Sequence, residues 1–224
     1  MKMVWCPEKA SKAYLDTVKS CELLQESNVA ELISAMAAGW DAQMIVETWS
    51  RRGDDATSTS IGLSIASKHT GGKHICIVPD EDSRIEYTLS MEKTTGISPE
   101  VVVGEPEETM ENLVGIDFLV VNCEKNDFSR ILKVAKLSHR GAVLVCKNVS
   151  SRIVSDFRWR SVLDGKSRIV RSVFLPVGKG LDIAHVGAAG SGTGEGKRGT
   201  GGKMEKKWIR RFDRESGEEF VIRK

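Results

Sequence analysis

Ile169-Val170-Arg171-Ser172-Val173-Phe174-Leu175-Pro176-Val177-Gly178-Lys179-Gly180-Leu181-Asp182-Ile183-Ala184-His185-Val186 holds two strand-forming runs joined only by Pro176 to Gly180. A parallel crossover needs about a dozen residues or more, so so short a link predicts an antiparallel pair. Upstream, strand and helix signals alternate. Met44-Ile45-Val46 reads as a short buried strand ending at Glu47, and 56–67 as a helix with Ile61 and Ile65 one turn apart. Gly71-Gly72 turns the chain into Ile75-Cys76-Ile77-Val78, closed by Pro79; Ser83 and Glu86 have capping-box spacing for the next helix. Val101-Val102-Val103 and Phe118-Leu119-Val120-Val121 are further strands, separated by a short helix over 107–113. Phe128, Ile131, Leu132 and Ala135 mark a helix face, Ala142 to Cys146 a fifth strand, and a helix is expected around 157–163. These strands are continuously apolar rather than alternating, as strands covered on both faces are. The predicted fold class is α/β: a mostly parallel seven-stranded sheet with an antiparallel C-terminal edge pair and helices on both faces.

Two helices are predicted before the first strand. Pro7 suits a first helical position, and Ala10, Tyr14, Val18, Cys21 and Leu24 recur along one face. The second helix starts near Asn28, with Glu31 reaching back, carries Leu32, Ile33 and Met36 as its apolar stripe, and reads Gly39 as a left-handed stop. No apolar run approaches the roughly 18 residues a membrane span requires, and no signal-peptide core follows Met1. The chain is expected in the cytoplasm, with the nucleus as the alternative. Five cysteines without a CxxC suggest neither disulfides nor zinc; Cys76, Cys123 and Cys146 lie in apolar runs and read as buried small hydrophobes. A net charge of +2 argues for neither nucleic acid nor membrane as partner. His69, His74, His139 and His185 lack metal-ligand spacing and read as surface or strand-edge residues.

The order of strands resembles that of class I S-adenosylmethionine-dependent methyltransferases, more particularly the O-methyltransferases of the caffeoyl-CoA and catechol type. A plant methyltransferase-like family of unknown function is the nearest resemblance. Two stretches carry it: Ile116-Asp117-Phe118-Leu119-Val120-Val121-Asn122-Cys123-Glu124-Lys125, similar to a strand ending in Asp-Ala-Asp-Lys, and Phe174 to Leu181, similar to a terminal Pro-Val-Gly-Asp-Gly hairpin. Gly104-Glu105 matches a Gly-Asp step that borders the adenine. The resemblance implies a methyltransferase-like domain over 1–186, with N-terminal helices over 1–40 and a Rossmann-like core over 43–186. A Gly-rich linker over 187–202 and a basic C-terminal tail over 203–224 follow. It also implies S-adenosylmethionine as cofactor, a small-molecule acceptor and a homodimer.

Ligands of open α/β sheets lie beyond the carboxyl ends of the strands, where Glu47, Asp80, Glu105, Asn122, Lys125, Lys147 and Asn148 fall. In the resembled family two aspartates and an asparagine hold a divalent cation. The matching positions here are Asn122, Lys147 and Asn148. A hard cation wants carboxylate oxygens, so no metal is expected. Either the Lys147 ammonium stands where the cation stood and stabilises an ionised acceptor oxygen, or it is a solvated strand-end lysine left after catalysis was lost. Lys125 matches the family's catalytic lysine. Trp49 occupies the glycine of the family's Glu-x-Gly step, where its indole would block the pocket, stack on the ligand or pack into the core. Two functions follow. One is a metal-independent methyltransferase for a small hydroxylated acceptor: Glu47, Asp80 and Glu105 hold the cofactor beside Trp49 and Gly104, Lys125 is the base, and Asn122, Lys147 and Asn148 surround the acceptor. The other is a non-catalytic methyltransferase-like binding or scaffold protein.

Overall fold

The structure, a computed structural model, describes residues 3–21, 28–49, 56–95, 99–123, 128–149, 158–163, 167–188, 208–212 and 219–223. The chain divides into two compact units, Met1–Ala189 and Gly190–Lys224. Within the second, Trp208–Phe212 pairs antiparallel with Glu219–Arg223.

The first unit opens with α1 (Pro7–Ser20), α2 (Asn28–Gly39), β1 (Met44–Thr48), α3 (Ala56–Thr70), β2 (Lys73–Val78), α4 (Glu81–Thr95) and β3 (Glu100–Val103). It continues with α5 (Pro106–Asn112), β4 (Val114–Ile116), β5 (Phe118–Asn122), α6 (Phe128–Val134), β6 (Lys136–Leu137) and β7 (Ala142–Lys147). The short α7 (Trp159–Val162), β8 (Ile169–Leu175) and β9 (Leu181–Val186) complete it. Seven strands form one sheet in the order β3-β2-β1-β5-β7-β9-β8. The first five are parallel, β9 runs antiparallel to β7, and β8 antiparallel to β9. The short link at Pro176–Gly180 therefore folds β9 inward against β7 and leaves β8 at the edge. This is the mostly parallel sheet with an antiparallel edge pair that residues 169–186 predict, a Rossmann-like methyltransferase fold. The parallel pair β4–β6 was not expected from the sequence.

Strand side chains alternate between two layers. Ile45, Cys76, Val120, Val143, Val145 and Ile183 join α1 to α4 on one face; Val46, Ile77, Leu119, Val121, Leu144 and Ala184 join α5 to α7 on the other. Every residue of β7 is buried, as a fully covered strand requires. No helix among the described residues is long and apolar enough to cross a membrane.

Two expectations about the N-terminal helices are corrected. The inward face of α1 is Ala10, Ala13 and Thr17, continued by Cys21, while Tyr14, Leu15 and Val18 are exposed. Close packing on α2 selects small residues: Thr17 Oγ1 donates to Ala13 O at 2.7 Å and shares a hydroxyl–hydroxyl hydrogen bond with Ser34 Oγ at 2.8 Å. Gly39 is not a left-handed stop; Asp41 takes the positive φ, at 54°. Gly39 is small because a Cβ there would overlap the Trp5 indole.

Asp117 ties the amino end of β5 to that of β1. Its carboxylate accepts from Gln43 N at 3.0 Å and Met44 N at 2.9 Å. Burial pushes this carboxyl above its ordinary range against the pull of those amides. Truncating Asp117 to alanine strands both donors and is expected to cost about 1–2 kcal/mol, read as a lower urea midpoint with an unchanged slope.

Candidate functional site

Strand order reverses at β1, which has β2 on one side and β5 on the other. Open α/β sheets bind ligands at such a switch point, beyond the carboxyl ends. Glu47 and Trp49 end β1 there, Asn122 ends β5, and Lys147 and Asn148 end β7.

Glu47 follows Ile45 by two residues and so points to the same layer, under α3 and α4. It is 3% exposed. Its Oε1 accepts from His74 Nε2 at 3.0 Å and from Tyr87 OH at 3.1 Å, and His74 Nδ1 meets Ser64 Oγ at 2.9 Å. Burial raises the Glu47 pKa, but the hydrogen bond and charge of His74, the Ser60 hydrogen bond and the Lys147 charge outweigh it. The net direction is below the ordinary value. Burial and the Glu47 charge push Tyr87 and Cys76 well above theirs. Glu47 is thus an ionised carboxylate inside the fold.

Lys147 points to the same layer. It is buried, with Nζ donating to Thr59 Oγ1 of α3 at 2.8 Å, which removes the solvated strand-end reading. Trp49 is also buried: its ring meets Tyr87 edge on, centroids 5.6 Å apart, and its backbone N bonds Ile77 O at 2.9 Å. Its indole Nε1 is buried and has no hydrogen-bond partner among the described residues. His74, read from the sequence as a surface or strand-edge residue, is instead the buried centre of the Ser64–His74–Glu47 chain. The sequence holds one signal for this cluster. From Ala56 to Ala66, α3 contains no charged residue but has Thr57, Ser58, Thr59, Ser60 and Ser64, a composition suited to a buried polar face.

On the rim itself, Asn148 Nδ2 donates to Asn122 Oδ1 at 3.1 Å. Asn148 is buried with φ at 62°, a left-handed conformation that asparagine tolerates better than other L residues. Val149 N bonds Gly180 O at 3.1 Å and ties this corner to the β8–β9 turn. Toward the other edge, Asp80 is exposed and caps α4: Ser83 N donates to its Oδ1 at 2.7 Å, so Asp80 takes the capping place predicted for Ser83. Gly104 follows β3 with φ at 153° and bonds Val78 O through its N at 3.0 Å; Glu105 beside it is exposed. Lys125 lies outside the described residues.

The residue types separate two implied groups. An adenosyl ligand needs hydroxyl acceptors and free donors at the rim. The exposed carboxylates of Asp80 and Glu105 supply the acceptors, whereas the Trp49 Nε1 is buried and offers the rim no donor. A divalent cation needs converging carboxylates; Asn122, Asn148 and Lys147 offer two amides and an ammonium.

A family model described as protein of unknown function (DUF1442) matches residues 1–224. The chain belongs to that family. No curated protein matches it significantly in sequence. Among solved structures, this DUF1442 chain is similar to a methyltransferase from Geobacter sulfurreducens, at 18% identity and TM-score 0.57 over 79% of this chain and 88% of that one. It is similar to the SAH-bound methyltransferase PaMTH1 from Podospora anserina, at 13% identity and TM-score 0.56 over 81% and 89%. A caffeoyl-CoA O-methyltransferase-like protein from Staphylococcus aureus matches at 17% identity and TM-score 0.54 over 78% and 92%. At these identities the likeness is one of fold.

Proposed function

We propose that the chain binds S-adenosylmethionine over the carboxyl rim of its sheet and methylates the oxygen of a small hydroxylated acceptor without a divalent ion. The observation that supports this most is the switch point between β1 and β5, flanked by polar strand ends, on a fold shared with an SAH-bound enzyme. Asp80 and Glu105 accept from ribose hydroxyls, with Gly104 at the end of β3 leaving the backbone bare. Glu47 acts from below, bracing the end of β1 through His74 and Tyr87. S-adenosylmethionine, when bound, supplies a methyl group already activated on a sulfonium. The protein has then to orient the acceptor and take its proton. The Asn122–Asn148 pair orients the acceptor, and Lys125 takes the proton by its match to the family's lysine. The Lys147 ammonium, one residue from Asn148, adds positive potential that favours an ionised acceptor.

Isothermal calorimetry of the full chain with S-adenosylmethionine and S-adenosylhomocysteine tests this. Saturable binding of both is expected, with Kd in roughly the 1 μM–1 mM range usual for enzyme substrates. Neither heat nor thermal shift with either ligand would leave a non-catalytic protein on a methyltransferase fold.

A further inference from the structure

A groove of about 400 Å³ runs between α2 and the β8–β9 hairpin, away from the rim. Register locates it: His185 pairs with Val143 near the start of β7, at the opposite end of that strand from Asn148. Trp5, Met36, Trp40, Val173 and His185 line it together with Arg171. Three of these are rings in an edge-to-face series. Trp5 and Trp40 have centroids 5.4 Å apart at 69°, and Trp40 and His185 5.2 Å apart at 64°. The series holds because Gly39 leaves room for the Trp5 indole.

Arg171 faces His185 across the β8–β9 ladder and is the one permanently charged group among the described residues of the lining. No carboxylate pairs with it among the described residues. Burial and the Arg171 charge push His185 below its ordinary range, so the imidazole adds no second charge at neutral pH. An apolar aromatic wall carrying a guanidinium with no carboxylate partner among the described residues selects a complementary ligand. The wall takes flat apolar surface, and the planar fork takes a carboxylate in two parallel hydrogen bonds. The volume falls within the span of small-molecule sites.

We propose that this groove binds a small aromatic monocarboxylate, its ring among Trp5, Trp40 and His185 and its carboxylate on Arg171. The inference does not depend on methyl transfer.

The test titrates the full chain with 2-naphthoate and with its uncharged counterpart 2-naphthamide, following tryptophan fluorescence and heat. Naphthoate is expected to saturate and to bind about tenfold or more tightly than the amide. Arg171→Gln should bring naphthoate down to the affinity of the amide and leave the amide unchanged. That side chain is exposed on an edge strand, so the melting curve of the variant should overlay the wild type. Gly39→Ala should displace the Trp5 wall and weaken both probes alike. Equal affinities for the two probes, or an Arg171→Gln protein that still prefers naphthoate, would overturn the proposal. So would an absence of saturable binding, including one in which size-exclusion chromatography finds a second copy of the chain covering the groove.

Discussion

Replacing Glu47 with alanine is expected to remove about 3–5 kcal/mol of stability and to lower the melting temperature by roughly 10 °C. The carboxylate is 3% exposed and is the acceptor for His74 Nε2 and Tyr87 OH, with the Lys147 charge close enough to lower its pKa. Truncation leaves a buried ammonium, an imidazole and a phenol without their anion. Such a residue costs more to remove than its net contribution suggests, because the stranded groups keep their desolvation penalty. Glu47→Gln keeps the shape and loses only the charge, so its loss should be intermediate. Combining Glu47→Ala with Lys147→Met should recover part of the deficit, since the second change removes the stranded cation. A double variant that loses the full sum of the two single losses would show that Glu47 and Lys147 do not interact.

The pH dependence has a definite sign. Glu47 titrates below its ordinary value of 4.5 in the folded chain, so its contribution is fully present above that pH and disappears as pH falls through the lower folded value. The gap between wild type and Glu47→Gln should be flat from neutral pH down to about 4.5 and close below it. A gap that opens on acidification would contradict an ionised Glu47 in the native state.

Much of the fold was legible because doubly covered strands announce themselves. Ile75 to Val78, Phe118 to Val121 and Ala142 to Cys146 are apolar without interruption, and the length of the Pro176–Gly180 link alone decides the direction of the last two strands. The rim was legible as a list of strand-end residues, and Asn122 and Asn148 do meet there. What strand ends do not reveal is direction. Glu47 and Lys147 lie at strand ends, yet strand alternation aims both at the helix layer holding Ile45 and Val145, and there α3 supplies hydroxyls in place of solvent. The same blindness affected α1. Hydrophobic spacing favoured Tyr14 and Val18, but the tight approach of α2 admits only Ala13 and Thr17. Sequence periodicity reports how apolar a face is, not how near its neighbour comes.

That nearness is measurable at Gly62, in the middle of α3. Helix propensity alone favours alanine over glycine there by about 1 kcal/mol. The structure reverses the sign. A Cβ at Gly62 would lie 2.6 Å from the Ala30 carbonyl oxygen and 3.3 Å from the Ala30 carbonyl carbon and Ser34 Cβ, all on α2. Two of these atoms are backbone and cannot rotate away, so α2 and α3 must separate. Separation would strain the Thr17–Ser34 hydrogen bond that holds α1 to α2. Gly62→Ala is therefore expected to lose about 1–3 kcal/mol in urea unfolding. A variant as stable as the wild type, or more so, would mean that α2 and α3 do not approach as closely as Ala30 and Gly62 require, and the packing of all three helices against β1 would have to be redrawn.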